Sequence, residues 1–203
     1  MGHYTGPKAR INRRLGTEVY DSSGATRASH RRIFPPGQHS QRRRRPSDYG
    51  RALMEKQKIC HYYGINNRQL KRFYHIAKRA PGNTGDNLLL LCERRLDNLL
   101  WKAGFAKTRS QARQAVSHGH VLVNGKRTDV PSYILEPEDV IQVRKRESLQ
   151  KVYSSRVEEI DRPQPGFLAV EKKDLLIKMI RYPDNDDVGL PVNVNQVVEF
   201  LSR

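Results

Sequence analysis

Residues Ser117 to Arg127, S-H-G-H-V-L-V-N-G-K-R, narrow the fold more than any other stretch of the chain. Gly119 stands where a helix needs a left-handed C-terminal residue. Val121-Leu122-Val123 reads as a strand, and Asn124-Gly125 is the strongest short hairpin signal, because a type I′ turn requires positive φ at both positions. A helix must therefore end against a hairpin whose return starts at Lys126 and Arg127. Upstream, Thr108 opens that helix with Gln111 three residues on, the capping-box pattern, and Arg109 and Arg113 stand one turn apart. These four cations are expected to converge as a compact ridge. Arg109→Ala with Arg113→Ala should then remove charge from the ridge and leave the fold intact.

The histidines flanking Gly119 do not suggest metal chemistry. A zinc site needs about four ligands, or three and a water, and His118 and His120 have no Cys, Asp or third His nearby. Ser117 lacks the glycine-flanked elbow of a nucleophile. The segment reads as a turn that holds charge against a polyanion.

Charge supports that reading. The 203 residues hold 38 Lys and Arg against 21 Asp and Glu, a formal net charge of +17. Residues 1–80 carry +15, residues 81–127 carry +5 and residues 128–203 carry −3. So much self-repulsion calls for an anionic partner along the first two thirds. An anionic membrane would satisfy charge alone, but the cations lack a continuous apolar insertion face. No segment approaches the roughly 18 to 20 apolar residues of a membrane span, so a soluble, unsecreted chain is expected. Cys60 and Cys92 form no C-x-x-C pair, which favours a reducing compartment.

Residues 1–46 show little periodicity and many turn residues, and are read as a basic extended arm that a partner orders, the alternative being a disordered basic tail in the isolated chain. A helical domain over 47–93, completed by 190–203, follows. Ser47 or Asp48 caps a helix with Tyr49, Ala52, Leu53, Cys60 and Tyr63 at core spacing before Gly64. Asn66 caps the next, with Gln69 at the reciprocal position. At 100° per residue, Arg68, Lys71, Arg72, His75, Lys78 and Arg79 share one face with no acid among them. Leu70, Phe73, Tyr74, Ile76 and Ala77 occupy the other. A solvated face normally mixes signs for i,i+4 pairing, so this stripe points at phosphates. Asp86 to Ala103 reads as one helix; Val140 to Val143, Phe167 to Val170 and Leu175 to Ile180 as strands; Arg144 to Arg162 as weakly periodic; and Val192 to Leu201 as a short helix that packs a partner or the helical domain. A sheet-and-helix module over 94–156 and a sheet extension with an acidic loop over 157–189 complete the division. The fold class is α+β: a basic arm, a helical domain, and an inserted module of two helices packed on a small antiparallel sheet.

Several ordered motifs carry a resemblance. Arg94-Arg95-Leu96-Asp97-Asn98, Ala106 to Gln114, Ser117 to His120 and Val123 to Lys126 resemble the small RNA-binding module named after small-subunit ribosomal protein S-four. Tyr4 to Lys8, Pro35 to His39, Ser47 to Gly50, Glu55 to Lys58 and Gly82 to Gly85 resemble the bacterial or organellar members of that ribosomal protein family, from end to end. The resemblance implies direct binding to a five-way junction in the 5′ domain of small-subunit ribosomal RNA and nucleation of subunit assembly. It also implies a neighbouring small-subunit protein S-five at an interface affecting decoding accuracy, a place beside the messenger entry channel, and a location in the small subunit of cytoplasm, matrix or stroma. Some relatives carry zinc-binding cysteines in the arm; here Lys8 to Asn12 and Thr26 to Arg32 contain none, so Arg10, Arg13, Arg14, Arg31 and Arg32 are expected to be organised by RNA. No metal and no cofactor is expected. The RNA-binding set is completed by Arg42, Arg43, Arg44, Arg45, Arg51, Lys56, Lys58, Lys107, Ser110, His118 and His120. Tyr49 is expected in the core rather than on a base.

Two rivals are weighed. Pseudouridine synthases carry this module and an Arg-Leu-Asp motif, which Arg95-Leu96-Asp97 superficially matches. Asp97, however, is expected to be an exposed helical acid, and no catalytic domain remains. A regulator that binds messenger RNA would use the same cationic surface.

Overall fold

A computed structural model describes residues 4–38, 46–160 and 162–202. The chain forms two compact units, one of residues 1–88 with 189–203, the other of residues 89–188.

The first unit is helical. Its helices among the described residues are α1 (Lys8–Leu15), α2 (Ser23–Arg31), α3 (Asp48–Tyr62), α4 (Asn67–Arg79), the start of α5 (Thr84–Glu93) and α9 (Val194–Ser202). The expected extended arm is thus corrected to two short helices. Ile11 and Leu15, four apart, bury one side of α1, and Gly16 ends it at φ +66°. Ala25 is the buried residue of α2. Asn12 donates through Nδ2 to the Tyr20 carbonyl (2.9 Å) and accepts from the Tyr20 amide (3.0 Å), which folds the chain back after α1. Tyr20 then meets His61 of α3, hydroxyl to Nδ1 at 3.1 Å, and Tyr4 stands edge-on to the same imidazole. Ser47 caps α3 by accepting from the Gly50 amide. α9 packs along α3, with Val197 buried and the Asn193 amide donating to Glu55 Oε2 at 2.8 Å. Tyr49 is 56% exposed, contrary to its expected burial, and lies against Phe200 of α9 at 5.4 Å between ring centroids.

The second unit wraps α6 (Leu96–Lys102), α7 (Arg109–Ser117) and α8 (Glu147–Glu159) around one sheet. The strands are β1 (Val121–Val123), β2 (Lys126–Arg127), β3 (Val140–Val143), β4 (Leu168–Glu171) and β5 (Leu176–Met179), all antiparallel in the order β2-β1-β3-β5-β4. Val121 faces Val143, Val123 faces Ile141, and Ile141 faces Ile177. Strand side chains alternate between faces, so this register puts those five residues on one face, where all are buried. Leu96, Leu99 and Leu100 of α6 and Ala112 and Val116 of α7 join them in the core.

Two expectations for this unit are corrected. Asp86 to Ala103 is not one helix: α5 and α6 are separated by a turn at Arg94 and an extended Arg95. The Leu96 amide donates to the Tyr133 carbonyl (2.9 Å) and the Leu135 amide to the Arg94 carbonyl (3.0 Å). Arg144 to Arg162, read as weakly periodic, contains the 13-residue α8, anchored by Tyr153 and Val157, four apart and both buried. Asn124 (φ +50°) and Gly125 (φ +77°) make the expected turn. The Asn124 side chain extends it, donating to Asp139 and accepting from the Val140 amide at 2.9 Å. Both cysteines are free, and burial pushes the Cys60 thiol up to about 11.

Candidate nucleic-acid interface

Local sequence builds the α4 face. Asn66 accepts from the Gln69 amide (2.7 Å) while the Gln69 side chain accepts from the Asn66 amide (3.2 Å), so two otherwise orphaned donors are satisfied at the helix start. Leu70, Phe73, Tyr74 and Ala77 are buried, which fixes the rotation of the helix; Ile76 is partly exposed. The opposite side presents Arg68, Lys71, Arg72, His75, Lys78 and Arg79, all exposed. Among the described residues, no ion pair or hydrogen bond engages the five Arg and Lys side chains. His75 touches the Tyr74 ring. An acid-free row of unpaired cations on a rigid helix is a surface suited to phosphates.

The module treats its arginines differently. Arg109 donates through Nε to Asn98 Oδ1 at 3.0 Å and lays its guanidinium 3.5 Å from the centroid of the Trp101 ring. Arg162 stacks on the same indole at 4.1 Å. Arg113 reaches Asp97 Oδ2 at 3.4 Å. Burial lowers its pKa, which the Asp97 carboxylate opposes and nearby Arg95 reinforces. Asp97 is not the exposed helical acid expected: it is buried, and fully buried Arg95 grips it through Nε (3.0 Å) and Nη2 (2.6 Å). Glu93, Asn98 and Lys102 form an adjoining buried cluster, with Lys102 3.0 Å from Glu93 and Asn98 donating to Glu93 at 2.6 Å. Arg109 and Arg113 therefore help hold the module together. The expectation that removing both leaves the fold intact is corrected, because it would strip a partner from a buried carboxylate.

Lys126 and Arg127 are exposed at the hairpin. Gly119, at φ +67°, lets Arg127 come so close that a Cβ there would sit 2.6 Å from its Nε. Of the four ridge cations, these two are therefore the ones presented to solvent. Ser110 and His118 are exposed as well, and Lys107 pairs with Glu159 at 2.5 Å.

In the first unit, Arg10, Arg14, Arg31 and Arg32 are exposed, whereas Arg13 is half-buried. Arg42, Arg43, Arg44 and Arg45 lie outside the described residues. The α3 cations are already engaged: Arg51 pairs with Asp48, Lys56 lies 3.2 Å from Asn67 Oδ1 and over the Phe200 ring, and Lys58 pairs with Glu55 at 2.6 Å.

Sequence reasoning missed Arg144, Arg146 and Arg156. Arg144 donates to the Gly119 carbonyl at 3.2 Å, and Arg156 lies over the Tyr153 ring, whose hydroxyl meets His120 Nδ1 at 3.2 Å. The i,i+4 pair Tyr153 and Val157 was the available signal: recognising α8 would have put Arg156 beside its buried stripe. Among the described residues, no group of three or more His, Cys, Asp or Glu could hold a metal ion, and no helix is long and apolar enough to cross a membrane.

A helical unit with an acid-free cationic face, joined to a helix-and-hairpin module, defines an RNA-binding class of protein, and comparison with known proteins makes it specific. Residues 3–93 match the family model described as "Ribosomal protein S4/S9 N-terminal domain", and residues 94–141 match "S4 domain". The chain is 51% identical to the small ribosomal subunit protein uS4 of Rhodopirellula baltica, 45% identical to that of a Sulfurihydrogenibium species and 40% identical to that of Aquifex aeolicus, with both chains covered completely in each comparison. The chain belongs to the small ribosomal subunit protein uS4 family, whose members are structural ribosomal proteins and not enzymes.

Proposed function

We propose that the protein is a structural component of the small ribosomal subunit that binds small-subunit ribosomal RNA directly. The observation that carries this reading is the α4 face, where cations stand exposed and, among the described residues, unpaired, whereas Lys58 of α3 and Arg113 of α7 are engaged internally. Full-length similarity to uS4 proteins supports it. The RNA target is the multi-helix junction of the 5′ domain, where crowded phosphates and 2′-hydroxyls suit recognition of shape by fixed cations. Binding there nucleates subunit assembly.

The RNA-facing set comprises the exposed arm arginines, the α4 cations, Ser110, His118, His120, Lys126 and Arg127. Arg109 and Arg113 serve it indirectly, by fixing the module. The acidic last third faces protein: a neighbouring protein S-five contributes with it to translational accuracy, and messenger RNA passes nearby. The location is the small subunit, in cytoplasm or an organelle.

Nuclease footprinting of the 5′ domain tests the reading. Protection should centre on one multi-helix junction and disappear when Arg68, Lys71, Arg72, Lys78 and Arg79 are all changed to Gln. Equal protection by that variant would overturn the assignment of the α4 face.

A further inference from the structure

Around the end of α7, the second unit gathers positive groups from four elements and, among the described residues, pairs none of them with an acid. His118 caps the helix, and the imidazoles of His118 and His120 meet edge to face at 5.8 Å. Arg127 of β2 lies against Gly119 between them. From the end of β3, the Arg144 amide donates to the His120 carbonyl (2.9 Å) and its guanidinium to the Gly119 carbonyl (3.2 Å). From α8, Tyr153 holds His120 and Arg156 stacks on Tyr153 at 5.3 Å. Arg146, the residue preceding α8, is exposed beside them.

The partial negative charge at a helix C-terminus accounts for one or two cations, not six positive or protonatable groups. Residues 128–203 carry a net −3, so acids were available to neutralise Arg144, Arg146 and Arg156. Among the described residues, no ion pair engages any of the three. The charged groups acting on His120 are all of one sign: burial lowers its pKa first, then His118, Arg156, Arg144 and Arg146. Like charges held together by designed contacts, with no counter-charge in the protein, call for an external polyanion.

We propose that His118, His120, Arg127, Arg144, Arg146 and Arg156 form a phosphate-binding site for an RNA strand, one that extends the RNA surface of this unit onto α8. It rests on the RNA-binding reading above and deepens it. Arg144, Arg146 and Arg156 lie beyond the residues matched by the S4 domain. Occupation of the site is coupled to protons. In the free protein burial and then the surrounding cations disfavour protonated His120; a phosphate reverses the local potential and favours it, so binding takes up a proton and tightens as pH falls.

The test uses the full chain and small-subunit ribosomal RNA in filter-binding titrations at several salt concentrations, at pH 5.5 and 7.5, with thermal melting of each protein alone. Arg146→Gln with Arg156→Gln should weaken binding by roughly tenfold or more and make the salt dependence shallower by about two counterions. Arg146→Gln alone, at an exposed position, should melt like wild type and still lose affinity severalfold. Wild type should bind more tightly at pH 5.5, and His118→Gln with His120→Gln should remove that gain. If the Arg146 and Arg146/Arg156 variants bind like wild type while the five-residue α4 variant is weakened, the site is refuted and the RNA reading stands. If all of them bind like wild type, both this site and the α4 assignment are refuted, whereas a wild-type protein that does not bind the RNA sinks the RNA reading itself. A wild-type pH response that survives loss of both histidines would overturn the proton coupling.

Discussion

Two arginine-bearing helices, α4 and α7, look alike in sequence and do opposite things in the structure. On α4 the cations are exposed and unpaired, and the helix is held by its apolar face and by a capping box that leaves the cationic side free. On α7, Arg109 and Arg113 turn inward to Asn98, Trp101 and Asp97. The difference lies in what each helix packs against. α6 supplies a buried acid and an indole where α7 crosses it, and a buried carboxylate must be paired. Among the described residues of its own unit, no acid pairs with the outer side of α4. A row of arginines is thus available to an outside partner only where no internal acid claims it.

The largest expected effect breaks the inward-facing half of this comparison. Asp97→Ala leaves fully buried Arg95 without its bidentate partner and should cost about 3–5 kcal/mol of stability, seen as a lower urea midpoint. Next, Arg109→Ala with Arg113→Ala should cost about 2 kcal/mol, through lost hydrogen bonds to Asn98 and Asp97 and lost stacking on Trp101. Trp101 is the sole tryptophan, so its fluorescence should change in the folded double variant, and an unchanged spectrum with unchanged stability would place these arginines outside the network. Gly125→Val should cost about 1–2 kcal/mol, because a β-branched residue must enter φ +77° although the space around it is open. The smallest effect belongs to His61, whose pKa is lowered by burial and then by Arg14. The unfolded chain protonates this imidazole more readily than the folded one, so stability is lost as pH falls below the usual histidine value of about 6.5. Melting temperatures measured across pH 7.5 to 5 should decline more for wild type than for His61→Gln.

The sequence made the α3 and α4 starts, the Asn124-Gly125 turn and the β3 to β5 strands readable because each rests on local chemistry: a cap, a positive φ, an alternation. It concealed features decided by tertiary contacts. Ile11 and Leu15 gave α1 only one helical repeat, drowned among arginines and turn residues. The leucine-rich run after Asp86 hid the break at Arg94-Arg95, because what splits it is pairing with residues 133–135 some forty positions away. Tyr49 had the spacing of a core residue, yet α9 returns from the far end of the chain to offer it Phe200 at the surface instead. For the candidate site, the α4 stripe was legible in full, since helical phase alone defines it. The inward turn of Arg109 and Arg113 was not, because Asp97 read as a solvated acid until α6 was seen to bury it.

The salt dependence of ribosomal RNA binding, measured side by side for the five-residue α4 variant and for Arg109→Ala with Arg113→Ala, tests the central contrast most directly. Each lost phosphate contact removes about 0.7 to 0.9 from the logarithmic slope. The account predicts a slope shallower by roughly three or more for the α4 variant, with melting unchanged, and a near-wild-type slope with a lowered melting temperature for the arginine pair. A wild-type slope for the α4 variant, together with a shallow slope and intact stability for the arginine pair, would contradict it.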